Sequence, residues 1–254
     1  MNWDVPIADL LALLLGAART GAWLMICPPF NSRIIPGPVK ALLSVGLTLP
    51  LFPYLRNTVP SLETGDIVAC AALQVFVGAS LGFVTALLFA ALQAAGDLLD
   101  VFGGFTLAMG YDPLSLNQSS VFGRFYNLVA VTILFASGGH QIILRGFLQS
   151  FKTLPLDISF SLSTFSQLLL KGVGEMFLAA VQIAGPLIAV LFMTDVAFGL
   201  LNRVAPALNA FQLGFPAKIL MVLLLSGLAI TTLPQVLETI VDKATSAVLQ
   251  ISGG

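Results

Sequence analysis

The sequence predicts an all-α membrane protein of about six apolar helical segments, arranged as broken or inclined helical hairpins. Three observations carry this. The 254 residues are 57% hydrophobic and 9% charged, with a mean hydropathy of +0.99, whereas an ordinary soluble domain is about 25% charged. The apolar residues gather into six stretches, at about 7–27, 39–55, 67–99, 125–148, 173–200 and 216–236. Most of the Pro, Asn, Ser and charge falls between them. With 11 basic and 12 acidic residues the chain cannot clothe itself in a polar surface, so apolar surface must face lipid or other chains. No linker is long or low in complexity, and residues 1–254 read as one membrane domain.

The stretches differ in length. A simple span needs about 20 apolar residues. The first stretch meets that length and carries Arg19 near its middle. The second, between Lys40 and Arg56, is short and holds Pro50 and Pro53. The third, from Asp66 to Asp97, would run roughly 45 Å as a helix, beyond a bilayer core of about 30 Å. It is expected to tilt, extend beyond the lipid or break, with Gly78 and Gly82 as the break points. The last two stretches carry Pro186 and Pro234. Broken membrane helices lie inside protein or along a cavity, because freed backbone groups need partners. Alternate linkers tie in Lys and Arg, so the positive-inside rule does not orient the chain. Residues 90–99 (AALQAAGDLL) and 179–188 (AAVQIAGPLI) share A-A-x-Q-x-A-G-x-L-(L/I). This is either a duplicated hairpin or the recurrence of small residues where membrane helices pack.

Several function classes are excluded or disfavoured. Net charge is −1 and there is no basic tail, which argues against nucleic acid. Cys27 and Cys70 lie in apolar runs, and neither their spacing nor the lone His140 suggests a disulfide framework or a metal site. No cofactor is expected. Asn2, Asp4 and Asp9 stand where a signal peptide would be basic, so the first stretch is expected to stay in the protein. G-A-S-L-G at 78–82 matches the nucleophile-elbow pattern but lies inside a helical run, where G-x-x-x-G reads as a packing surface. No catalytic set emerges, and an enzyme is not expected.

The ionisable residues inside apolar runs are the candidate functional groups, since such residues are costly in membranes. Arg19, Asp97, Asp100, Asp195 and Arg203 are assigned to inter-helix or inter-subunit polar contacts. Asp97 and Asp100 are three apart, and Asp195 and Arg203 eight apart, so each pair shares a helical face. The linker 103–123, bounded by Gly103, Gly104 and Gly123, holds Phe105, Leu107, Met109 and Phe122 among polar residues. An apolar loop of that length either fills or touches something, or lies on lipid. A small-molecule secondary transporter with a midplane site would use the same broken helices and carboxylates.

Certain segments resemble a known family. PPFNSRIIPGPVK at 28–40, QAAGDLLDVFGGF at 93–105, Asp112-Pro113 and GLLNRVAPALNAFQLGFPAK at 199–218 resemble the FliR family of flagellar export-gate proteins and its SctT relatives in injectisomes. The resemblance spans nearly the whole chain in order, and the GFPAK ending looks flagellar. It implies a non-enzymatic subunit of a closed helical gate in the flagellar basal body at the bacterial inner membrane. FliP and FliQ would be its co-subunits, FlhB and FlhA its neighbours, and unfolded flagellar proteins its cargo. It also implies that the 103–123 loop plugs the pore, with Phe105, Leu107, Met109 and Phe122 as the seal and Gly103, Gly104 and Gly123 as hinges. Soft apolar side chains close a pore by excluding water and then yield around varied chains.

Overall fold

The computed structural model describes residues 6–58, 64–106, 120–156, 162–206, 210–231 and 233–251. Those residues form nine α-helices and, among them, no strand: α1 (Ile7–Ile26), α2 (Gly37–Thr48), α3 (Phe52–Leu55), α4 (Thr64–Gly103), α5 (Val121–Ala136), α6 (Gly139–Thr153), α7 (Leu162–Val204), α8 (Ala210–Ile230) and α9 (Leu233–Ile251). The predicted all-α class holds. Four stretches are long and apolar enough to cross a bilayer: Ile7–Ile26, Gly37–Thr58, Gly65–Gly103 and Phe165–Val204. The consecutive pair α5 and α6 makes a fifth if counted as one broken span, and Gln212–Gly227 is a shorter apolar helix. The sum agrees with the six stretches read from the sequence.

Local chemistry sets the helix ends. Proline opens α2, where its missing N–H would have had no partner anyway. The Pro50–Pro53 region does not continue α2 as a plain helix but tightens it into 3-10 turns, Leu49–Leu51 and Arg56–Thr58, around the four-residue α3. Ser120 caps α5 by accepting the Gly123 N–H at 2.7 Å. Gly138, at φ +75°, makes the left-handed turn into α6 that other residues adopt only with strain. Pro234 is the second residue of α9 and starts that helix rather than breaking one.

Gly78 and Gly82 do not break α4, which runs unbroken for 40 residues. Their role is close approach. A Cβ at Gly78 would overlap the Arg19 carbonyl, and one at Gly82 would lie 3.1 Å from the Trp23 carbonyl. Bare glycine lets the α1 backbone lie against α4. Pro186 likewise sits inside α7, which continues for 43 residues.

Backbone packing divides the chain into two compact units. The first comprises Met1–Leu87, Gly138–Gly172 and Ile240–Gly254. Its core centres on Trp23, fully buried and stacked on Phe147 at 4.3 Å and 14° between planes. Phe151 adds an edge contact to Phe147. α1 meets α2 through Thr20 and Thr48, whose hydroxyls are 3.0 Å apart, and through Gly16, where a Cβ would come within 2.6 Å of Thr48 Cγ2. The second unit comprises Leu88–Ser137 and Val173–Thr239. Leu92, Ala95, Leu99, Tyr126 and Leu134 are buried there. α4 crosses α5 at Gly96, where a Cβ would lie 2.5 Å from the Phe122 carbonyl carbon.

The two glycine classes behave differently on substitution. Gly78→Ala should destabilise the chain by about 1–3 kcal/mol through overpacking against backbone. Gly46, helical with nothing within 4 Å of its virtual Cβ, should gain up to about 1 kcal/mol as Ala. Melting of the detergent-solubilised chain, followed by Trp fluorescence, checks both. An unchanged melting temperature for Gly78→Ala would remove the close-approach account.

Candidate functional site

Polar chemistry concentrates in three places. The first lies in the first unit and is built on Arg19, which α1 presents with 1% of its surface exposed. Its Nε donates to Gln74 Oε1 at 2.6 Å, its Nη1 to the Leu154 carbonyl at 2.8 Å, and its Nη2 to the Pro155 carbonyl at 3.2 Å. The guanidinium also lies 4.5 Å from the centre of the Phe151 ring. Gln74 Nε2 and Cys70 Sγ both donate to the Leu156 carbonyl, at 3.1 and 3.0 Å. Three successive carbonyls after α6 are thus taken by side chains from α1 and α4. These carbonyls lie just past the C-terminal end of α6, where partial negative charge favours a cation. The fork of Arg, with donors on three nitrogens, fits three acceptors in a way Lys cannot.

The second place lies in the second unit, where α4 ends and α5 begins. Asp100 is 1% exposed. Its carboxylate accepts the Phe122 N–H at 3.1 Å, and it also accepts from the Ser120 hydroxyl. Ser120 in turn accepts from Gly123. A carboxylate and a hydroxyl therefore share the first free N–H groups of α5, where the helix dipole favours negative charge. Asp97, one turn earlier, is half-buried and places Oδ1 without a hydrogen-bond partner among the described residues. A Cβ at Gly123 would overlap that oxygen and the Ser120 hydroxyl. Gly104 has φ +83° just beyond α4, and a Cβ at Gly103 would lie 2.9 Å from Val222. Phe105 meets the 5%-exposed Phe122 edge-on at 5.2 Å. Two of the four aromatic and apolar residues singled out in the sequence, Phe105 and Phe122, are thus in contact. Leu107 and Met109 lie outside the described residues.

The third place is the α7–α8 hairpin of the second unit. Lys218 Nζ pairs with Asp195 Oδ1 at 2.5 Å. The pair lines a cavity of about 260 Å³ with Phe198, Asn202 and Phe215. Asp195 is not brought to Arg203, which is exposed at the end of α7. Spacing along one helix suggested that pair, whereas the real partner comes from the next helix. Sequence reasoning assigned no role to Gln74 or Ser120, and Lys218 stood there only as the last residue of the 199–218 motif. Ser120 had a usable signal, a hydroxyl directly before an apolar run, and Gln74 stood out as an amide inside a long uncharged run.

Asp100→Ala should free the first turn of α5, at a cost of about 1.5–3 kcal/mol for hydrogen bonds to a charged group. Hydrogen exchange should accelerate at the Phe122 and Gly123 amides while the first unit keeps its protection. Unchanged exchange at those two amides would contradict the cap.

In these constellations the polar side chains are taken up by helix ends and by each other, the Ser120 hydroxyl beside the Asp100 carboxylate included. They fix helix ends and tie helices together. Comparison with known proteins agrees. Residues 10–244 match the family described as bacterial export proteins, family 1. A flagellar biosynthetic protein FliR of Pectobacterium carotovorum is 33% identical over 87% of this chain and 84% of its own length. The FliR protein of Bacillus subtilis is 31% identical over 84% of each chain. The secretion system apparatus protein SsaT of Salmonella typhimurium is 30% identical over 71% of each. The chain therefore belongs to the bacterial export proteins, family 1, a family of type III export components and not of enzymes.

Proposed function

We propose that this chain is a subunit of the flagellar type III export gate, assembling with FliP- and FliQ-type subunits in the bacterial inner membrane at the flagellar basal body. The gate would be closed at rest and would pass unfolded flagellar proteins, with FlhA- and FlhB-type components beside it. The observation that carries this beyond family membership is the mismatch between α7 and any bilayer. At about 1.5 Å per residue its 43 residues extend roughly 65 Å, twice a hydrocarbon core of about 30 Å. Yet only 22% of its most apolar stretch is buried in the chain, against 61% for α4. Phe177, Phe192, Met193 and Val204 are each more than three-fifths exposed, at 62%, 63%, 68% and 84%. Lipid can cover about half of such a helix, and other protein subunits cover the remainder.

In this reading the 103–123 segment is the plug. Phe105 and Phe122, with Leu107 and Met109, form the seal, and Gly103, Gly104 and Gly123 let it move. Arg19, Asp97, Asp100, Asp195 and Arg203 hold helices or subunits together, and Arg203, exposed at the end of α7, is placed to reach a neighbour. The SsaT relative supports a second reading, an injectisome gate, while the flagellar relatives in Pectobacterium and Bacillus are somewhat more similar.

Two outcomes test the proposal. Co-expressed with FliP- and FliQ-type subunits, the chain should purify as one hetero-oligomer, and Arg203→Ala should lower its yield. A stable symmetric homo-oligomer that transports a small solute would favour the transporter instead. Phe105→Ala with Phe122→Ala should raise ion and small-solute leak through cells carrying the assembled gate several-fold. Equal leak in variant and parent would remove the seal.

A further inference from the structure

The outer face of α5 carries a regular seam. Val121, Phe125, Leu128 and Phe135 are 50%, 39%, 67% and 48% exposed, and Thr132 is exposed between them. Their spacing is four, three, four, three, the repeat with which one helix packs along another. Beside the seam, α4 and α5 border an open groove of about 290 Å³ lined by Gln93, Arg124, Asn127 and Leu128. Arg124 flanks the seam at the position where charges select a partner helix. Among the described residues no carboxylate pairs with it. It also stands in the first turn of α5, where the helix dipole disfavours a cation. Nothing within the described chain explains a guanidinium in that place.

We propose that this seam docks an apolar helix of a neighbouring subunit, and that the helix carries a carboxylate side chain received by Arg124, Asn127 and Gln93. The inference rests on the reading of the chain as one subunit of a hetero-oligomeric gate. The donor set defines the chemistry. A guanidinium binds a carboxylate through two parallel hydrogen bonds, and the two amide NH₂ groups supply further donors. Asn127 is three residues from Arg124 and shares its face, while Gln93 faces them across the groove. Docking removes an unpaired cation from an apolar surface, where it is costly. A lipid headgroup would bring an anion but has no use for a seam of seven-residue period.

The test uses the co-expressed gate purified in detergent. The parent chain must first bring down its partner subunits, and failure there would fall on the gate reading rather than on this one. With that established, Arg124→Glu should reduce complex yield at least tenfold. Its own melting temperature should stay within about two degrees of the parent, because Arg124 has no partner in the described chain to lose. Substituting Arg for each acidic residue of the neighbouring subunits, in the Arg124→Glu background, should restore assembly at one position. Parental yield of Arg124→Glu, or the absence of any restoring position, would overturn the proposal. So would an equal loss in Asp112→Asn, which would place the carboxylate in this chain. Loss of anionic lipid adducts in native mass spectra with assembly intact would assign the groove to a headgroup and would also overturn it.

Discussion

The Arg19 guanidinium and the carbonyls of Leu154 and Pro155 show the constraint that governs the first unit. In an apolar surrounding no water takes up the free ends of a helix, and an unsatisfied backbone group costs several kcal/mol. The chain answers with side chains that reach from other helices. Arg19 comes from α1, and Gln74 and Cys70 come from α4, to serve one turn after α6. Removing the guanidinium would free a carbonyl from each of two residues and one amide oxygen at once. Its charge is held without a carboxylate among the described residues, by a helix C-terminus and an aromatic face. That arrangement requires α1 and α4 to lie close, and the glycines at 78 and 82 allow it. The same rule recurs at the other end of a helix, where Asp100 and Ser120 serve the N–H groups of α5.

Fold class was legible because it depends on composition and run length, which are properties of the sequence itself. The number of apolar segments was also legible, since charges and prolines gather between them. What the glycines do was not. A glycine in a long helix reads as a break or a packing site equally well from one strand of text, and only the Arg19 and Trp23 carbonyls opposite Gly78 and Gly82 decide between them. Pairing between helices was not legible. Asp195 has a residue of opposite charge eight positions on, but its ion pair is with Lys218 on α8. Asp97 and Asp100 share a face as predicted by spacing, yet their environments differ, because the start of α5 meets one carboxylate with donors and the other with a bare glycine. The family was legible from motifs spread along the chain, and that signal is independent of the physics of any one helix.

Helix length adds an argument that composition cannot supply. Residues 64–103 and 162–204 form single helices of roughly 60 and 65 Å at the standard rise. The α4 helix buries most of its apolar surface within the chain, whereas α7 leaves most of its own uncovered. A protein that ended its assembly at one chain would bear a long apolar surface that neither water nor a bilayer of ordinary thickness could cover. That surface is what a subunit of a larger apolar body would present.

The two copies of A-A-x-Q-x-A-G sharpen the point. In the first, Gly96 lies against the Phe122 backbone, so close that a Cβ would come within 2.5 Å. In the second, Gly185 has nothing within 4 Å, although α7 carries it in the same local sequence. Helical glycine costs up to about 1 kcal/mol relative to alanine, and in the first copy the gain from backbone approach offsets that cost. In the second copy no element of the described chain supplies the approach. If the likeness between the two segments reflects a shared packing task, the approach that completes Gly185 comes from outside the described residues. The described residues then make one such crossing, at Gly96, and leave its counterpart at Gly185 open.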